Sequence, residues 1–222
     1  MSTGGLLVGV VNDVPMQSTP ELHTVLRRYQ RLERYCRVGL GVIVGGLVLA
    51  GFTLTSSMLG LLIALGVIVS LYLPLFQPQS ETRLRSRHAP EEVADQWHGP
   101  RPPILAVQWG LADDIIHNNG RWVVYTFSRF GGLRSAHMTV EHATLDESSV
   151  TVTVSVDGHP WGMYHVEWAV ARDETIVSVT SRPVRAFGLK FIPQWIAANQ
   201  VYEAILAAQG YAVMERTQTV RA

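Results

Sequence analysis

The chain has 222 residues, of which 47% are hydrophobic and 16% charged, and its 18 basic and 18 acidic side chains cancel at pH 7. This balance hides a split, because residues 1–87 hold eight arginines against four acidic residues, and the remainder is therefore acidic. An acidic second half argues against a nucleic-acid surface, which needs clustered positive charge. The single cysteine excludes an internal disulfide.

The first 37 residues predict an arm followed by an amphipathic helix. The short apolar run at residues 4–11 is consistent with either a strand or a disordered arm. Ser18 or Thr19 can cap a helix, and Pro20 fits its first turn. Apolar side chains then recur at helical spacing, opposite a row of arginines: Leu22, Val25, Leu26, Tyr29 and Leu32. We expect this helix to lie with its basic face on the lipid surface, although binding of a partner is an alternative.

Residues 38–76 form a stretch of 39 residues without one charged side chain. A bilayer core about 30 Å thick needs roughly 17–25 helical residues, so this stretch suits two short spans. A polar cluster around Thr53 and Ser57 lies at its midpoint. The pattern predicts a transmembrane hairpin with spans at about 38–53 and 58–75.

Small residues recur four apart in both spans, for example at Gly41 and Gly45. Such spacing lets helices approach closely in lipid. We favour packing of the hairpin on itself, and the alternative is a homodimer through Gly41 and Gly45.

Arginines flank the apolar stretch on both sides, whereas the polar midpoint has none. Positively charged flanks stay on the cytoplasmic side, so a multi-pass membrane protein with both termini in the cytoplasm is expected. We also expect the flanking arginines to contact the headgroups of the lipid bilayer. They are Arg27, Arg28, Arg31, Arg34, Arg37, Arg83, Arg85 and Arg87.

The composition changes after Phe76, where residues 77–102 are polar and proline-rich and predict a linker with one or two helical turns after Pro90. A soluble domain follows at 103–222. Residues 104–117 favour a helix, or a short strand and a helical turn. Alternating apolar residues then predict about five antiparallel strands between 121 and 181, with hairpin turns at Gly131-Gly132 and Asp157-Gly158.

A helix is predicted from about Lys190 to Gln209, with Pro193 in its first turn and Gly210 at its end. Residues 211–217 can add one more strand. The predicted fold class is therefore α+β: a transmembrane hairpin, then a cytoplasmic antiparallel β-meander packed on a long C-terminal helix.

Few residues suggest chemistry. His137 with Glu141, and His165 with Glu167, share a sheet face, but about two strand spacings, roughly 9–10 Å, separate the pairs. That distance is too long for one shared zinc ion. No Cys-x-x-Cys, His-Glu-x-x-His, Gly-x-Ser-x-Gly or P-loop pattern occurs. We therefore assign no catalytic residue, cofactor or metal ligand.

The order of the predicted elements resembles two known layouts. A hairpin followed by a sheet and a C-terminal helix is similar to bacterial membrane proteins that carry pleckstrin-homology-like domains. A helix laid across an antiparallel sheet resembles the START-like, helix-grip ligand binders. Both resemblances cover about half the chain and share no residue motif, so no functional residue is transferred from either family.

Three functions fit these predictions. The first is a non-enzymatic cytoplasmic module at the membrane that acts by protein or lipid contact. The alternative is a binder of an apolar ligand between sheet and C-terminal helix, and an enzyme is less favoured. A cavity there would favour the ligand binder, a filled core the contact module, and converging polar groups the enzyme. The candidate lining residues, which could equally form a plain core, are Trp122, Tyr125, Phe127, Met138, Trp168 and Trp195.

Overall fold

The computed structural model describes residues 20–54, 57–118, 122–129, 134–171 and 174–221. The predicted N-terminal arm, the centre of the hairpin turn and the Gly131-Gly132 turn lie outside these ranges. Five helices are described: α1 (Pro20–Leu54), α2 (Ser57–Tyr72), α3 (Pro90–His98), α4 (Ala106–Leu111) and α5 (Ile192–Ala207). The described strands are β1 (Gln77–Ser86), β2 (Asp114–Asn118), β3 (Trp122–Arg129), β4 (Arg134–Asp146), β5 (Ser149–Val156), β6 (His159–Ala171), β7 (Glu174–Pro183) and β8 (Tyr211–Arg221).

The strands form one antiparallel sheet in the order β2-β3-β4-β5-β6-β7-β1-β8. Consecutive strands pair from β2 to β7, as a meander requires, and β1 then joins β7 to β8. Asp157 and Gly158 have φ angles of 50° and 76°, so the predicted tight turn between β5 and β6 is confirmed. An α+β fold with an antiparallel sheet and a C-terminal helix is therefore confirmed.

One of the predicted segments was wrong. Residues 77–102 do not form a linker, because β1 and α3 lie there and β1 makes a full ladder with β7. The five strands predicted between 121 and 181 are confirmed as β3 to β7, and the further strand suggested at 211–217 is β8. The described sheet has eight strands because β1, β2 and β8 extend this meander. Sequence alternation indicated the strands of the meander but could not show that a polar, proline-flanked segment pairs with a strand about a hundred residues away.

Helices cover one face of the sheet. The segment that contains α3 and α4 places Trp97, Ala106 and Trp109 in the core, while α5 contributes Ala197 and Val201. The strands meet this layer with a nearly continuous set of fully buried valines, including Val150, Val152, Val154, Val166 and Val177. Burying this much apolar surface is the main source of the domain's stability.

The first half of α1 belongs to this domain. Leu22, Leu26 and Tyr29 are buried, and α1 packs along α5 and touches α4. Leu26 lies so close to Gly110 that any side chain at that glycine would collide with it. The predicted amphipathic helix is therefore present, but its apolar face is covered by protein, and its basic side is exposed.

The second half of α1 and all of α2 are apolar and largely exposed. Helix α1 is long and apolar enough to cross a membrane, with 6% of its most apolar window buried, whereas α2 is apolar but shorter. The two helices contact each other through Gly51, which faces Ile63, and Gly60, which faces Phe52. Within the described ranges, one helix thus meets the length and composition of a span, and the predicted two-span hairpin is not confirmed.

Gly41 and Gly45 do not take part in this contact. A side-chain carbon added at either glycine would meet nothing within 4 Å in the described chain. The homodimer through these two residues stays a prediction.

Candidate functional site: a cavity between the sheet and the C-terminal helix

A cavity of about 220 Å³ lies between α5 and the β6-β7-β1-β8 part of the sheet. Tyr29 of α1 and Ile104 and Val107 of the α4 region close its sides. Apolar cavities of about 150 Å³ already bind molecules the size of benzene, so this volume is sufficient for a small apolar ligand.

Aromatic side chains form the wall nearest to the end of α2. The β5–β6 register shifts between Val154 and Ser155, so Trp161 lies in a β-bulge, a feature that redirects a side chain. Its ring centroid lies 4.8 Å from Phe187 and 5.5 Å from Phe191, and Phe187 pairs through its backbone with Phe76. These rings and Trp195 of α5 all line the cavity.

Small and polar residues form the floor. Gly162 of β6 faces the cavity, and a side-chain carbon there would meet only the Arg182 carbonyl oxygen, at 3.6 Å. In the next row across the sheet, Gln218, Ser80, Ser181 and Tyr164 are register partners on β8, β1, β7 and β6. Valine is the commonest buried residue elsewhere on the sheet, so this polar row leaves both volume and hydrogen-bonding groups beneath α5.

One end of the cavity is formed by Arg216 and the neutral polar side chains around it. Its guanidinium lies 3.9 Å from the ring centroid of Tyr202 and donates a hydrogen bond of 2.7 Å to Asn199 Oδ1. The amide of Gln218 lies beside both groups, and the Tyr202 hydroxyl donates to Thr82 Oγ1 at 3.3 Å. Strand β8 and helix α5 thus bring polar groups from distant parts of the sequence to one point.

Burial dominates the electrostatics of this wall. Desolvation raises the pKa of Tyr164 to about 12 and also raises the pKa of Tyr202, so both hydroxyls stay protonated near neutral pH. The same desolvation lowers the pKa of Arg216, although an arginine keeps its charge at any physiological pH. The cavity is therefore apolar with neutral hydroxyl donors and a partly buried cation.

Only one of the six lining residues proposed from sequence reaches this cavity. Trp195 lines it, whereas the other five are outside the lining. Tyr125, Met138 and Trp168 are buried in the core under the α3–α4 segment, where Tyr125 donates to the Pro100 carbonyl oxygen at 2.8 Å. Phe127 packs against the same core. Trp122 has the opposite parity on β3 and lies on the other face of the sheet, so its assignment as an inward residue was wrong. Alternation also could not show which strands lie under α5.

The flanking arginines divide into two groups. Those of α1, from Arg27 to Arg37, are exposed near the apolar part of the helix, as a headgroup contact requires. Arg83, Arg85 and Arg87 are also exposed but lie on or just after β1, roughly 20–30 Å along the strand from α2. Arg85 pairs with Glu174 at 3.6 Å. The headgroup contact of all eight arginines stays a prediction.

The two histidine–glutamate pairs do not converge. His165 lies 2.9 Å from Glu167 and 3.2 Å from Thr151, while His137 contacts Thr126 and Ser135. Across the described ranges, no group of three or more His, Cys, Asp or Glu side chains could hold a metal ion.

No protein-family model matches the chain, and no curated protein sequence matches it. Similar solved structures include Ara h 8.0201, at 12% identity and a TM-score of 0.41, covering 58% of this chain and 95% of its own. A START superfamily protein from Mycobacterium smegmatis is 10% identical, with a TM-score of 0.42 and coverage of 60% and 94%. A conserved protein from Geobacillus kaustophilus is also 10% identical, with a TM-score of 0.42 and coverage of 60% and 91%. Likenesses this low carry no information about function, which has to come from the cavity itself.

Proposed function

We propose that this protein binds an apolar small molecule in the cavity between the sheet and α5. The observation that carries this proposal is a half-open cavity of about 220 Å³ between helix and sheet, lined mainly by apolar surface. Its aromatic wall and few polar groups are typical of ligand pockets. The apolar-ligand alternative from the sequence is thus better supported than the contact module.

Converging polar groups were the criterion for an enzyme, and Arg216, Asn199 and Gln218 do converge. However, the described residues that line the cavity include no His, Cys, Asp, Glu or Lys. Without these side chains the wall offers none of the usual general bases or metal ligands. Ser80 and Ser181 lack the neighbouring base that activates a serine. Binding is therefore the chemistry that this wall supports.

The test compares two leucine substitutions on opposite faces of β6. Gly162→Leu puts a side chain into the cavity, whereas Ala169→Leu places the same group on the exposed face. The full chain is purified in detergent and its bound molecules are extracted for mass spectrometry. We expect an apolar molecule with the wild type and Ala169→Leu, and its loss with Gly162→Leu. Because Gly weakens a strand, Gly162→Leu should also raise the free energy of unfolding by about 0.5–1 kcal/mol.

Identical molecules in all three preparations would mean that only lipid around the helices was extracted, and the proposal would be wrong. Ala198→Phe fills the cavity from α5 and provides a second blocking variant with an unchanged sheet.

We further propose that α1 and α2 hold this domain at a membrane with both termini in the cytoplasm. The exposed apolar side chains between Val38 and Leu75 and the exposed arginines of α1 support this placement. A C-terminal phosphatase fusion, which is active only outside the cytoplasm, should be inactive, and a C-terminal green fluorescent protein should be bright. The opposite pattern would contradict the topology.

A further inference from the structure

Arg216 is a cation that has no acidic partner among the described residues. It lies on the inner face of β8, between α5 and the sheet, and is partly buried. Among the described residues no carboxylate lies within 4.0 Å of its guanidinium. Its neighbours are the Tyr202 ring and the Asn199 amide oxygen, both of which are neutral.

The charges around the cavity have one sign. Arg182 and Arg216 are the charged side chains among the described lining residues, and no acidic residue joins them. Glu203 of α5 is the acidic residue whose field acts on Arg216, but it is exposed and outside the lining. A partly buried guanidinium is costly unless it is paired, so this end of the cavity favours an anion.

The rest of the cavity is poorly suited to a bare inorganic ion. The aromatic wall of Trp161, Phe187, Phe191 and Trp195 offers apolar surface, and burying that surface is what drives binding. A ligand that satisfies both parts has an apolar body with an acidic group at one end.

We infer, on the basis of the proposed function, that the cavity binds an amphiphile ending in a carboxylate or phosphate, which pairs with Arg216. The guanidinium presents N–H donors in a planar fork that matches either acid in a bidentate arrangement. Asn199 holds this fork in place from α5, and Gln218 supplies a further amide. The apolar body then lies along the aromatic wall.

The experiment uses the full chain in phosphatidylcholine nanodiscs and two radiolabelled probes of equal chain length, decanoate and 1-decanol. Specific binding is defined as the amount of bound probe that is lost in the Gly162→Leu variant. Nanodiscs without protein measure how much probe partitions into the lipid. Because a hydrogen bond to a charged group contributes about 1.5–3 kcal/mol, we expect roughly ten- to hundredfold tighter binding of decanoate than of decanol.

Arg216→Met should remove this preference, so that decanoate and decanol bind equally well, and Arg216→Lys should keep only part of it because the planar fork of donors is lost. The matched control is Arg83→Met, on the neighbouring strand but exposed on the other face of the sheet. It should keep the full preference. Inorganic phosphate at equal concentration should not compete with decanoate.

Equal binding of decanoate and decanol, or a preference that survives Arg216→Met, would overturn the acidic ligand and leave the proposed function intact. Competition by inorganic phosphate alone would also overturn it, since the site would then need no apolar body. Absence of any binding that Gly162→Leu abolishes would instead count against the proposed function.

Discussion

The two halves of the inner sheet face differ although they have the same strand alternation. Under the α3–α4 segment the inward residues are buried valines and aromatic side chains, and Trp97 and Tyr125 are fully buried there. Under α5 the inward residues include Gly162, Ser80, Ser181 and Arg216, and a cavity of about 220 Å³ remains. The first half has the composition of a core, and the second has the composition of a binding site.

This contrast shows how one sheet can be both stable and open. Valine fills the space above a pleated strand, whereas glycine and serine leave it free and supply hydrogen-bonding groups. The filled half can hold the domain together while the other half forgoes close packing. Proteins commonly accept lower stability at functional sites, so substitutions that fill the second half should stabilise the fold at the cost of binding.

The largest difference in stability between the two halves should appear when one tryptophan is removed from each half in turn. Trp97 is fully buried and meets the edge of Tyr211 at a centroid distance of 6.1 Å. Trp97→Ala should therefore lower the free energy of unfolding by about 3–5 kcal/mol. Trp195 already borders the cavity, so fewer contacts are lost when it is removed. Trp195→Ala should therefore lower the free energy of unfolding by about 2 kcal/mol at most.

Chemical denaturation of both variants in detergent, followed by circular dichroism, measures the two losses. Equal losses would remove the distinction between a filled and an open half. Binding of decanoate should respond in the opposite order, with Trp195→Ala the more harmful of the two.

The sequence predicted the filled half better than the open half. The alternation of Val150, Val152 and Val154 identified a strand with one buried face, and Asp157-Gly158 identified its turn. The α+β class followed from these local patterns. They are local because each depends only on residues a few positions apart.

The site depends on pairing between strands that are far apart in the sequence, which no local pattern can predict. Arg216 comes beside Tyr202 and Thr82 only because β8 pairs with β1, and β1 was assigned to a linker. Trp161 reaches the cavity wall through a β-bulge that alternation alone does not predict. A partial signal was present, since Arg216 and Gln218 alternate on a strand where apolar inward residues are expected.

A smaller effect should come from a row of register partners that runs from the open half into the filled half. His142 of β4 continues the row of Tyr164 through Val152. Unlike Tyr164, whose hydroxyl bonds to Ser181, His142 has no hydrogen-bond partner for either buried ring nitrogen within the described residues. Burial, with smaller contributions from the charges of His98 and His117, lowers the pKa of His142 to about 4. The filled half therefore leaves both ring nitrogens of His142 unsatisfied, as it does Trp97 Nε1 and His98 Nε2.

His142→Leu should raise the free energy of unfolding by about 1 kcal/mol near pH 7, because an unsatisfied buried polar group is removed. Between pH 6.5 and 4 the unfolded chain protonates His142 before the folded chain does, so the wild type loses stability as the pH falls. His142→Leu should lack this contribution, and its advantage should grow towards pH 4. Thermal unfolding across that range measures it, with His165→Leu on the exposed face as control. A constant difference between variant and wild type would show that His142 is satisfied and that the filled half tolerates polar groups as the open half does.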